Sequence, residues 1–108
     1  MKITIKKQID GKWNVYTPNR ELILQIEDLY PHIKQTYNKP KAFFLWVRQG
    51  PTIYKHKISW FYSITAVKQW LKESIDQLGF DVWVWSNGLT QAQNNKQILT
   101  VKTITKES

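Results

Sequence analysis

Residues 42–62 constrain the fold more than any other part of the chain. Residues 42–47 form a nearly unbroken apolar run. After the turn residues Arg48, Gln49, Gly50 and Pro51, apolar and polar side chains alternate as far as Tyr62. A short apolar run bounded by a turn reads as a strand covered on both faces and hence central in its sheet, while a period of two reads as a strand with two unlike faces. Alternation puts Tyr54, His56, Ile58, Trp60 and Tyr62 on one face and Ile53, Lys55, Lys57, Ser59 and Phe61 on the other. The segment predicts a hairpin with an aromatic side and a partly cationic side.

A second hairpin is expected over residues 2–17, where Ile3, Ile5, Trp13 and Val15 alternate with polar residues on either side of Asp10 and Gly11. A two-residue loop would split these four between opposite faces. A three-residue loop of Ile9, Asp10 and Gly11, with Gly11 left-handed, pairs Ile5 with Val15 and gathers all four on one face. That register leaves Lys2, Lys6, Lys12 and Tyr16 on the other.

Two helices are expected. Thr17 and Pro18 make a suitable helix start, and Leu22, Ile26, Leu29, Ile33 and Tyr37 then recur at helical spacing, with a kink or a break at Pro31. The second helix starts at a Ser63 or Thr65 cap and carries Ile64, Val67, Leu71, Ile75 and Leu78 as its buried stripe, stopping at Gly79. Residues 80–85 alternate, Phe80, Val82 and Val84 opposing Asp81, Trp83 and Trp85, and predict a strand. Residues 98–105 predict a last strand, and residues 106–108 are expected to fray. The fold class is therefore α+β: a single domain over 1–108, with an antiparallel sheet of about five to six strands in the order ββα-ββα-ββ and two helices packed on one face.

The chain carries 16 Lys and Arg against 8 Asp and Glu, a net charge of +8. Segments 1–20 and 41–60 each contribute +4, from five cations with one acid and from four cations with none. Such a balance favours polyanionic partners. With no cysteine, thiolate nucleophiles, disulfides and Cys-based zinc sites are excluded. His32 and His56 stand far apart outside any metal-binding spacing, and the glycines are isolated, so neither a metal, a nucleotide cofactor nor any small-molecule cofactor is expected. No apolar run approaches the roughly 20 residues that span a bilayer, and the N-terminus lacks an apolar signal core, so the expectation is a cytoplasmic protein with no membrane partner.

Cations interleaved with aromatics on hairpins are the combination that holds nucleic acid, rings stacking on bases while lysines follow phosphates. Lys6, Lys12, Tyr16, Arg48, Lys55 and Lys57 are the residues expected to bind it. Trp83 and Trp85, opposite the apolar set of their strand, are the expected aromatic interaction face for a protein partner or a homodimer. Tyr54, Lys55, His56 and Lys57 also contain the groups of an acid-base ribonuclease, although a regular strand points His56 away from both lysines.

Residues 41–78, the basic hairpin followed by the helix containing Thr65, Ala66, Val67, Lys68, Gln69, Trp70 and Leu71, resemble in pattern the sheet-plus-helix arm-binding modules of tyrosine integrases. The resemblance covers about a third of the chain and implies a sheet entering the major groove, with contacts in the Arg48, Lys55 and Lys57 region. The leading expectation is a non-enzymatic nucleic-acid-binding domain, for DNA or RNA. A protein-interaction module or accessory subunit is the alternative, and a small ribonuclease the third reading.

Overall fold

A computed structural model describes residues 1–89. Five strands come first, β1 (Thr4–Ile9), β2 (Lys12–Tyr16), β3 (Leu22–Asp28), β4 (Lys41–Gln49) and β5 (Thr52–Phe61), followed by the helices α1 (Ile64–Leu78) and α2 (Phe80–Ser86). Each strand pairs antiparallel with the next, giving a meander in the order β1-β2-β3-β4-β5. The class is α+β with an antiparallel sheet, as the patterning predicts, but the element order is not ββα-ββα-ββ. The predicted strand 98–105 and the frayed end 106–108 lie outside the described residues.

The first predicted helix is strand β3. Thr17 and Pro18 open a turn: the Arg20 N–H donates to the Thr17 carbonyl at 2.9 Å, the Thr17 N–H to the Glu21 carbonyl at 2.9 Å, and the Glu21 N–H to Thr17 Oγ1 at 3.1 Å. Proline suits the second position of such a turn as well as the first turn of a helix. A helix would bury the stripe of Leu22, Ile26 and Leu29 and leave Ile23 and Leu24 at its margin. As a strand, with a bulge opposite Tyr16, the segment buries Leu22, Ile23, Leu24 and Ile26 together. Dense apolar sequence rich in isoleucine gains more from pairing on both edges than from one helical stripe. Pro31 accordingly kinks no helix and lies in the connection after β3. Its ring packs beside Gly11, where an added Cβ would approach the Asp28 carbonyl oxygen and the Pro31 Cβ to 3.2 Å.

The N-terminal hairpin pairs Ile5 with Val15, as expected, and Gly11 is left-handed at φ 84°. The register is reached by a bulge between Lys7 and Ile9 with Asp10 and Gly11 at the turn, not by a plain three-residue loop.

Helix α1 follows its sequence signals except at the ends of the expected stripe, where Ile64 is only partly buried and Leu78, in the last turn, is exposed. Ser63 Oγ accepts from the Ala66 N–H at 3.2 Å, Val67, Leu71 and Ile75 are buried, and the Gly79 N–H closes the helix on the Ile75 carbonyl at 2.8 Å. Residues 80–85, predicted as a strand, instead form α2. Phe80, Trp83 and Val84 fall on one side at helical spacing and pack into the core, while Val82 and Trp85 face outward. An apolar run this short satisfies either period, and the contact with α1 decides for the helix.

One face of the sheet, bearing Trp13, Val15, Leu24, Ile26, Phe43, Leu45, Val47 and Ile58, packs with α1 and α2 into the main core. Beside it the rings of Phe61, Trp70, Trp83 and Phe80 follow one another at 5.1, 5.5 and 6.1 Å, joining the end of β5 to both helices. Three of the six tryptophans, Trp13, Trp70 and Trp83, are thereby part of the core.

Candidate functional site

The pleat and the register define the sheet face turned away from the helices. Lys6, Asn14, Gln25, Trp46 and Lys55 form one cross-strand row, and Lys12, Glu27, Phe44 and Lys57 the next. Tyr16 stands beside Lys6, whose Nζ lies 5.9 Å from the centre of the Tyr16 ring. Lys6, Lys12, Tyr16, Lys55 and Lys57, which come from the three strands β1, β2 and β5, thus share one face. Arg48 follows Phe44 and Trp46 along β4 to the margin of that face, where it lines a depression together with Glu21 and Asp81.

Side chains on this face are held in place from below. Gln25 Nε2 donates to Asn14 Oδ1 at 2.9 Å and Asn14 Nδ2 to the Tyr16 hydroxyl at 3.1 Å, an amide chain that is itself buried. The Trp46 indole N–H donates to Glu27 Oε1 at 3.0 Å. Lys55 Nζ lies 3.9 Å from the centre of the Phe44 ring and 5.2 Å from that of Trp46. The Trp46 and Phe44 rings meet edge to face at 6.1 Å. The result is a sheet surface of half-buried rings under lysines, with Glu27 as its acid. Phe44 escaped the sequence reading because residues 42–47 look uniformly apolar. Its signal was parity: Phe44, Trp46 and Arg48 are spaced by two, and Arg48 marks that face as polar.

Trp83 and Trp85 do not share a face. Trp83 is fully buried at 0% exposure, whereas Trp85 is 61% exposed. The helical turn of α2 sends Trp83 inward and Trp85 outward, a separation that strand alternation would not make. Trp60, at 58%, is the other strongly exposed tryptophan. A bulge opposite Lys41 and Phe43 resets the parity of β5 there, turning Phe61 toward the core.

Tyr54 and His56 point into the core, while Lys55 and Lys57 point the opposite way, so the groups of the ribonuclease reading are not brought together. Burial pushes the His56 imidazole below its ordinary value, outweighing a hydrogen bond to the Leu89 backbone that acts in the other direction, and its Nε2 has no partner among the described residues. The folded protein then resists protonating His56 and the unfolded chain does not. Below about pH 6.5 the unfolded state binds the extra proton, so stability falls as pH drops through this range, by at most about 1.4 kcal/mol per pH unit. Urea titrations at pH 7.5 and 5.5 should show this loss, and His56→Leu should flatten it. A variant that keeps the wild-type slope would remove His56 as its origin.

Glu27 and Asp28, at the end of β3, are both engaged. Asp28 is buried against Lys41, its Oδ2 2.8 Å from Lys41 Nζ. Among the described residues no three His, Cys, Asp or Glu side chains cluster as a metal site would require, and no helix is long and apolar enough to cross a membrane. Comparison with family models, with curated proteins and with solved structures finds no match to this chain.

Proposed function

We propose that this chain is a non-enzymatic nucleic-acid-binding domain that holds its ligand on the sheet face opposite the helices. The observation that carries the reading is the meeting of Lys6, Lys12, Lys55 and Lys57 with the rings of Tyr16, Phe44 and Trp46 on that one face. Folding alone does not call for such an arrangement. Lysines on an edge strand discourage sheet-to-sheet association, yet the rings beneath them lie on the inner strands β2 and β4. Single-stranded nucleic acid uses both components, stacking on an aromatic ring being worth about 1–3 kcal/mol per base and each phosphate neutralised releasing counterions. A base approaching Phe44 would displace the Lys55 ammonium from the ring toward a phosphate, exchanging a cation–π contact for an ion pair.

Anisotropy titrations with labelled single-stranded and duplex oligonucleotides at several salt concentrations test this. Four lysine contacts to a single strand predict a slope of log K against log salt near about −3. The double variant Lys6→Glu/Lys57→Glu should weaken binding by about tenfold or more and flatten the slope by at least one. Affinity weaker than about millimolar at low salt, for every oligonucleotide tried, would reject the reading.

A further inference from the structure

The turn between β2 and β3 ends in a feature that the fold itself would place differently. Arg20 sits at φ 65°, in the left-handed region, and no other non-glycine residue among those described has a positive φ. The hydrogen bonds from Thr17 and Arg20 hold it there. Glycine or asparagine is the residue that such a turn favours, because a larger side chain adds strain without adding a contact. Strain retained in a side chain that the turn does not need points toward a role for that side chain.

Arg20 lines a depression of about 380 Å³ with Thr4, Lys6, Tyr16, Thr17 and Pro18. That volume lies at the lower end of small-ligand sites. Two cations and three hydroxyls converge on it, and no carboxylate lines it. Two other depressions carry mixed charge, one with Arg48 against Glu21 and Asp81, the other with Lys68 and Lys72 against Glu73. Among the described residues neither Lys6 nor Arg20 is within 4.0 Å of a carboxylate. The Tyr16 hydroxyl already accepts from Asn14, and Gln25 fixes the Asn14 amide in that sense, so the remaining Tyr16 O–H proton is left to donate. Donors on a concave, acid-free wall are the chemistry of an anion seat.

We infer that the corner formed by Lys6, Tyr16, Thr4, Thr17 and Arg20 is a seat for a nucleotide phosphate, with Lys6 and Arg20 supplying charge and the hydroxyls supplying direction. The source of the phosphate, a strand end or an internal phosphodiester, rests on the proposed reading of the adjoining sheet face. The seat itself can be tested without it.

Inorganic phosphate, titrated against chloride at matched ionic strength and followed by backbone amide shifts, should move the signals of Thr4, Thr17 and Arg20 in the wild-type protein and leave them in place in Arg20→Gly. This variant relieves the left-handed residue, so its melting temperature should equal or exceed that of the wild type, which separates loss of the guanidinium from loss of the fold. Wild-type signals that stay still, or that move equally in the variant, overturn the seat. Oligonucleotides then assign the source. A 5′-phosphorylated strand binding about tenfold tighter than its hydroxyl-ended twin, an advantage lost in Arg20→Gly, identifies a strand end. Equal binding of both twins, with both about tenfold weaker in Arg20→Gly, identifies an internal phosphate. Oligonucleotide binding that ignores the substitution overturns the seat and leaves the sheet face standing, whereas phosphate shifts without oligonucleotide binding support the seat and overturn the face.

Discussion

Lys41→Met should destabilise the fold by about 3–5 kcal/mol, a large part of the roughly 5–15 kcal/mol that holds a domain of this kind together. Lys41 and Asp28 side chains are only 3% and 2% exposed, and their charged atoms are 2.8 Å apart. Removing the ammonium leaves a carboxylate buried without its counter-charge, and that uncompensated charge sets the size of the effect. The pair also fixes the connection between β3 and β4. Lys41 Nζ donates to the Ile33 carbonyl, Asp28 Oδ1 accepts from the Tyr30 N–H at 3.0 Å, and the Asp28 N–H donates to the Gly11 carbonyl at 2.7 Å. Urea unfolding of Lys41→Met, Asp28→Asn and the double variant measures the coupling. The double variant should be less destabilised than the sum of the two singles, because it removes both charges at once. A Lys41→Met midpoint close to that of the wild type would show that the pair contributes little.

Trp83→Ala should cost about 3–5 kcal/mol, while Trp85→Ala should stay within about 0.5 kcal/mol of the wild type. Trp83 is enclosed between Trp70 and Phe80, with ring centroids at 5.5 and 6.1 Å, in the contact that holds α2 to α1. Truncation would open a large cavity where the two helices meet. Trp83→Phe should cost less than alanine for two reasons: it restores most of the volume, and it removes an indole N–H that finds no acceptor among the described residues. Thermal denaturation of the three variants checks the order. Equal losses at positions 83 and 85 would contradict the inward and outward assignment of α2.

The Lys41–Asp28 pair bears on charge as well as on packing. Lys41 is one of the four cations that gave segment 41–60 its +4, and Asp28 neutralises it inside the protein. What remains for a polyanion is the set on the open face. Counting charges along the chain could identify Lys6, Lys12, Lys55 and Lys57, but could not tell them from Lys41, whose surroundings are set by residues 28 and 33. Arg20 counted among the five cations of segment 1–20, but nothing in the sequence singled it out, since its left-handed backbone arises only when residues 17–21 close a turn instead of opening a helix.

Sequence alone determined the elements whose signals are local and mutually consistent. Helix α1 had a cap at Ser63 or Thr65, an apolar stripe from Ile64 to Leu78 and a stop at Gly79, and the structure chose Ser63 and buried the middle of the stripe at 67, 71 and 75. The first hairpin had a pairing of Ile5 with Val15 that the buried face required, and β5 had an alternation that placed Lys55 and Lys57 opposite Tyr54 and His56. Tertiary structure decided the segments where two local answers were nearly equal. Residues 22–28 became a strand because β2 and β4 offered pairing on both edges, and residues 80–86 became a helix because α1 and the ring of Trp70 offered a surface at helical spacing. Local preferences differ by tenths of a kcal/mol per residue, whereas burying one large side chain is worth about 1.5–3 kcal/mol. Where the local signals balance, long-range burial therefore sets the outcome, and the same burial turned the lysines of separate hairpins onto one face of the sheet.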